Sequence, residues 1–167
     1  MHGQMRWFLA VAAVLAAGCA IAGCGSGSQP ASDPRARAYT NYRACLLTGG
    51  RGVNDPVAAP AWAGMQRASQ ATHAKVSYLA VSGPQTKANA TTYLGSLVVQ
   101  QCDVIIAAGA AEQAAVITDA GQFRTVRFAV LSTSAGPVAG AAANVAVVGG
   151  DPASIQSGVA GLITSDA

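Results

Sequence analysis

The chain has 167 residues, of which 51% are apolar and 10% are charged, and its formal net charge is +3. This length suits one domain, and the apolar content is enough for a packed core. Because Lys and Arg form no run, the composition argues against nucleic acid as a partner, which usually requires a concentrated basic face.

Residues 1–23 are predicted to be an export signal that takes no part in the fold. Arg6 precedes an apolar run, residues 7–21, which is short for a membrane span of ~20 residues. The run leads into Ile-Ala-Gly-Cys, which resembles a bacterial lipobox, so we expect Cys24 to be acylated. The lipid would hold the protein on the extracytoplasmic face of the cell membrane. A plain secretory signal or an N-terminal membrane helix is the alternative.

The small and polar residues at 24–38 are predicted to be a flexible tether, because they offer nothing to a core. Residues 39–167 are predicted to be one domain in which short apolar runs alternate with helical patterns, an arrangement typical of a parallel sheet. The first helix is expected to begin near Pro60, because an interior proline breaks a helix. Strands are predicted at about 44–48, 76–81, 104–108, 127–131 and 144–148, with helices from about residue 60, at 87–101, at 111–122 and from residue 152.

These units predict an α/β fold with a doubly wound parallel five-stranded sheet in the order 2-1-3-4-5. In that order the first and third strands are neighbours, and Cys45 and Cys102 lie at their amino ends. Because an exported compartment permits oxidation, we expect these two cysteines to form a disulfide. Two buried free thiols, which behave as small apolar side chains, are the alternative.

The carboxyl ends of the strands are the expected ligand site, because doubly wound sheets bind ligands there. Backbone N–H groups at the start of the third helix could receive an anion or a hydroxyl group. An equally good interpretation is that the glycines at this rim serve only to form turns. The candidate ligand-binding residues are Thr48, Asn54, Asp55, Gly109, Ala110, Glu112 and Ser132.

No enzyme activity, cofactor or metal is expected. His73 is the one histidine beyond the predicted signal, and neither zinc-ligand spacing nor a GxSxG nucleophile motif is present. Gly50-Arg51-Gly52 begins like a dinucleotide-binding fingerprint, but Asp55 stands where the third glycine should be.

Five segments of the chain carry a resemblance to a known family: residues 46–55, 61–64, 102–109, 126–131 and 144–148. In their order and spacing, these segments resemble the basic membrane lipoprotein family. This family comprises the purine-nucleoside-receptor-like solute-binding proteins of ABC importers. The resemblance implies the N-terminal lobe of a type I periplasmic-binding-protein fold, a solute such as a nucleoside as ligand, and an ABC permease or a second-lobe protein as partner.

Positions that would contact a nucleoside depart from the family pattern. Gly49 and Ser132 stand where the family has acids, and residues 56–60 replace the stretch whose Phe stacks on the base, whereas Asn54 and Asp55 persist. The resemblance therefore implies an extracytoplasmic solute-binding protein with a degraded nucleoside site. The alternative is a non-catalytic interaction lipoprotein that docks a partner on the exposed cleft face.

Overall fold

The computed structural model describes residues 38–132 and 138–167. The predicted signal peptide, the predicted acylation site Cys24 and the tether up to residue 37 lie outside the described residues. Within the described ranges, no helix combines the length and the apolar character needed to cross a bilayer.

The described residues form an α/β fold with a five-stranded sheet in the order β2-β1-β3-β4-β5, and every neighbouring pair is parallel. This confirms the doubly wound order predicted from the sequence. In chain order the elements are β1 (Arg43–Thr48), α1 (Ala58–Thr72), β2 (Lys75–Ala80), α2 (Lys87–Val99), β3 (Val104–Ala108), α3 (Ala110–Asp119), β4 (Arg127–Ser132), β5 (Val145–Gly149) and α4 (Pro152–Thr164), with short 3-10 turns at Gly52–Asn54 and Ala120–Gln122.

The core consists of two apolar layers, one on each face of the sheet. Successive side chains of a strand point to opposite faces, so Leu46 and Ile106 pack in the layer that α1 and α4 cover, whereas Leu47 and Ile105 pack in the layer under α2 and α3. All five residues of β3 are buried. The continuous apolar run at the centre of the sequence is therefore the centre of the sheet.

Helix α1 begins at Ala58, earlier than the expected start near Pro60. Pro60 is the third residue of the helix, where the backbone N–H would have no intrahelical partner, so the proline removes no helical hydrogen bond. Asp55 leads into the helix, because its carboxylate accepts the Val57 N–H at 3.0 Å and its backbone oxygen accepts the Ala59 N–H at 2.8 Å.

The two helices on one face approach each other closely at Gly64 of α1. A Cβ added to Gly64 would overlap the backbone carbonyl oxygen of Gln156 in α4. Gly161, in the same helix α4, has open space where its Cβ would lie. The close contact between α1 and α4 therefore requires glycine at position 64 but not at position 161.

The amino ends of the strands are joined by the predicted disulfide, which the structure confirms. Cys45 and Cys102 are bonded, their Cα atoms are 6.0 Å apart, and the residues are 0% and 2% exposed. Asp166, which follows α4, forms an ion pair with Arg127 at the start of β4 and accepts a hydrogen bond from the Tyr42 hydroxyl at 3.4 Å. This rim is therefore held by a covalent bond and an ionic contact between distant parts of the chain.

Candidate functional site

A cleft of about 360 Å³ opens at the opposite rim, at the carboxyl ends of β1 and β3. The chain leaves β1 toward β2 on one side and leaves β3 toward β4 on the other. The connecting loops therefore diverge and leave a crevice between them. The lining comes from the turn after β1, the loop after β2 and the start of α3, and it comprises Gly49, Gly50, Arg51, Asp55, Gln85, Ala108, Gly109, Ala110, Ala111 and Glu112.

Gly109 lies at the junction between β3 and α3, where the chain turns from the strand into the helix whose first residues line the cleft. Its φ of 125° and ψ of 153° are strained for a residue that carries a Cβ. A Cβ on Gly109 would also overlap Oε2 of Glu112, three residues later. The carboxylate of Glu112 thus folds back over the first turn of α3, where a negative charge interacts favourably with the helix dipole.

Glu112 is 1% exposed, which is rare for a carboxylate. Its Oε1 has no hydrogen-bond partner among the described residues. Burial raises the pKa of Glu112 above its ordinary value of 4.5, a hydrogen bond from its own backbone N–H opposes this shift, and the charge of Asp55 adds to it. A buried acceptor without a partner costs about 1–3 kcal/mol, so this oxygen is the least satisfied polar atom of the cleft wall.

Gln85 joins the turn after β1 to the loop after β2, on one side of the cleft. Its Nε2 donates to the backbone oxygens of Val81 and Gly83, each at 3.0 Å, and its Oε1 accepts the Gly50 N–H at 3.3 Å. A Cβ on Gly49 would lie 2.8 Å from the same Oε1. The glycines after β1 therefore allow the turn to pack against Gln85, and the two together form one wall of the cleft.

Arg51 supplies the cleft lining with a cation. Its side chain is exposed and forms no ion pair within the part of the chain that the structure describes. Neither Arg51 nor Gln85 is among the candidate ligand-binding residues from the sequence. Both lie in loops, where no periodic pattern shows which side chains face a cleft; the nearest signal is their position just after strand ends.

The structure brings four of the seven candidate residues together at the cleft: Asp55, Gly109, Ala110 and Glu112. Thr48 is fully buried at the end of β1, and its hydroxyl donates to the Gly49 carbonyl at 3.2 Å. Asn54 is exposed on the 3-10 turn after β1, and Ser132 is half-buried at the end of β4. These three residues lie at the same rim but outside the cleft lining.

The opposite rim holds His73, which is exposed at the end of α1 with a φ of 62°. Its backbone N–H donates to the Ser69 carbonyl at 2.9 Å. Among residues 38–132 and 138–167, no three His, Cys, Asp or Glu side chains are grouped so that they could hold a metal ion.

Comparison with known proteins shows that this chain is similar to them in fold rather than in sequence. No family model matches the chain, and no curated protein matches it. A crystal structure described as a "putative lipoprotein" fragment from Peptoclostridium difficile 630 is 17% identical, with a TM-score of 0.60; the match covers 74% of this chain and 97% of that chain.

A second crystal structure, of ABC transporter system solute-binding proteins from Aeropyrum pernix K1, is 22% identical, with a TM-score of 0.50. This match covers 64% of the chain but 28% of that protein, so the chain spans little more than a quarter of its length. At these identities the two structures show that the chain shares the α/β fold of solute-binding protein domains.

Proposed function

We propose that this protein is a lipid-anchored, extracytoplasmic solute-binding protein related to the substrate-binding component of an ABC importer. The observation that carries the proposal is the cleft at the carboxyl ends of β1 and β3, whose wall contains a buried carboxylate with an unpartnered oxygen. The fold likeness and the lipobox-like sequence before Cys24 support the same assignment.

A binding role suits the cleft better than a catalytic role. Its described lining contains Glu112, Asp55, Arg51 and Gln85 together with glycines and alanines, and it contains no Ser, Thr, Cys or His that could act as a nucleophile beside a base. The hydroxyl of Thr48, at the end of β1, is fully buried and donates to a backbone oxygen.

We further propose that purine nucleosides bind weakly. No aromatic side chain lies among the described lining residues, so a purine would have no ring on which to stack. Trp62 and Tyr78, which lie outside the cleft lining, pack edge to face against each other with ring centres 5.4 Å apart. The solute would instead be bound by packing against small residues and by polar contacts.

The proposed partner is an ABC permease, or a second-lobe protein that closes on the open side of the cleft. The Aeropyrum pernix neighbour belongs to an ABC transporter system, and the matched region is a fraction of its length. A partner on the cleft face would complete a site that this lobe forms on one side.

Thermal-shift measurements on the full-length protein in detergent test the proposal with a panel of sugars, polyols, amino acids and nucleosides. Ala110 is exposed in the cleft lining, so Ala110→Trp should fill the cleft and abolish any shift that the wild type shows. Val99→Trp, at a site that is 83% exposed and outside the cleft lining, is the matched control and should retain the shift.

A shift that survives Ala110→Trp would place the ligand elsewhere and refute this site. If no solute on the panel shifts the melting temperature, the solute-binding proposal fails, and the interaction lipoprotein that docks a partner on the cleft face becomes the better interpretation.

A further inference from the structure

We propose that the ligand of the cleft is a small, non-anionic solute that donates a hydrogen bond, from a hydroxyl or an ammonium group, to Oε1 of Glu112. This inference rests on the proposed function, because it assumes that the cleft is a ligand site, and it specifies the chemistry of the solute.

The first step is that the cleft disfavours anions. A helix N-terminus is ordinarily a place where an anion binds, but at the start of α3 that position already holds the carboxylate of Glu112. Asp55 adds a second carboxylate to the lining, and its charge raises the pKa of Glu112. The guanidinium of Arg51 is exposed, so water and salt screen its attraction for an anionic solute.

The second step is that one carboxylate oxygen of Glu112 receives no hydrogen bond from the described residues. Its Oε1 is buried and has no hydrogen-bond partner among the described residues. The Cβ positions of Gly49 and Gly109 lie 3.8 and 3.9 Å from this oxygen, so two residues without side chains flank it. A side chain at either position would fill the space beside the carboxylate, whereas glycine leaves it for a donor from the cleft.

The third step is that the turn after β1 can admit that donor. Oε1 is shielded from solvent, so the turn must move outward slightly before a ligand reaches it. Gly49 and Gly50 make such a movement inexpensive because glycine has a wide range of backbone conformations. The side-chain contact that holds Gly50 is a 3.3 Å hydrogen bond to Gln85, which is longer than the usual 2.9–3.0 Å.

Three solutes with the same four-carbon skeleton separate the alternatives: 1,4-butanediol, 1,4-diaminobutane and succinate. NMR titration of the full-length protein in detergent should show binding of the diol or the diamine and no binding of succinate at equal concentration. Glu112→Met removes the acceptor and should weaken whichever probe binds by at least tenfold. Glu112→Gln removes the charge but keeps one acceptor oxygen, so it should weaken the diamine much more than the diol, which separates an ammonium ligand from a hydroxyl ligand.

Asp119→Asn is the matched control, because it removes one negative charge from the far end of the same helix and should leave all affinities unchanged. Circular dichroism and thermal melting establish that each variant is folded. Succinate binding as tightly as the other two probes, or affinities that are unchanged in both Glu112 variants, would overturn the inference.

The inference would also be overturned if neither the diol nor the diamine bound while another solute of the wider panel did, and the proposed function would then stand. If the whole panel failed to bind, the proposed function would fall with it.

Discussion

Replacing both cysteines of the Cys45–Cys102 disulfide with alanine tests how much the amino rim contributes to stability. The bond joins residues 57 apart in the sequence. In the chain-entropy account, closing a loop of this length stabilises the folded state by ~4 kcal/mol, because it restricts the unfolded chain. A domain of this size is stable by roughly 5–15 kcal/mol in total, so the loss should be a large fraction of the whole.

Urea unfolding followed by circular dichroism measures this loss. With a slope of about 1–3 kcal/mol per molar urea, the midpoint of the double variant should fall by roughly 2 M, and its melting temperature by roughly 12–16 °C. The wild type treated with a reductant is the matched control, because it loses the bond but keeps both sulfur atoms in the core. The slope itself should increase, since an uncrosslinked chain exposes more surface when it unfolds.

Two results would refute this reasoning. A loss below about 1 kcal/mol in both the double variant and the reduced wild type would mean that the unfolded chain is already compact without the bond. A large loss in the double variant alone would mean that the sulfur atoms stabilise the protein by packing, and that the covalent link contributes little.

Gly64→Ala should destabilise the protein by about 1–3 kcal/mol, because the new methyl group meets the Gln156 carbonyl. Gly161→Ala in the facing helix is the control and should be neutral or stabilising by up to about 1 kcal/mol. Equal denaturation midpoints for the two variants would contradict the close contact at Gly64. Glu112 has a raised folded-state pKa, so the folded protein binds this proton more tightly and stability is lost as the pH rises from about 4.5 through that pKa. The charge of Asp55 adds to this rise in the pKa of Glu112. Glu112→Gln should therefore flatten the slope of stability against pH in that range. An unchanged slope would show that another group is responsible. Cys24→Ala should move the protein from the detergent phase to the aqueous phase on partitioning, and a variant that stays in the detergent phase would argue against lipidation. Calorimetry with adenosine, guanosine and inosine should give no sub-micromolar dissociation constant, since no described lining residue offers an aromatic ring; one such constant would restore the nucleoside site.

Local patterns in the sequence were sufficient to predict the elements and their order. The apolar run at Val104–Ala108 indicates a strand buried on both faces, and it is the central strand of the sheet. Asp151 and Pro152 predict a helix start, and the Asp151 carboxylate accepts the Ser154 N–H at 2.8 Å. These signals depend on a few neighbouring residues, and the handedness of βα connections then leaves few possible topologies. Topology in turn predicted the pairing of Cys45 with Cys102, which the structure confirms.

The environment of the cleft was decided only by the tertiary structure. In the sequence, Glu112 is an acid in the first turn of a helix, a position that is usually solvated. In the fold it is buried, because Gly49, which is more than 60 residues away in the chain, packs beside it without a side chain. Gln85 similarly faces the cleft because its amide holds the turn at Gly50. Loops have no periodicity that predicts such contacts, so the burial of a charge and the shape of a cleft depend on which loops meet in space.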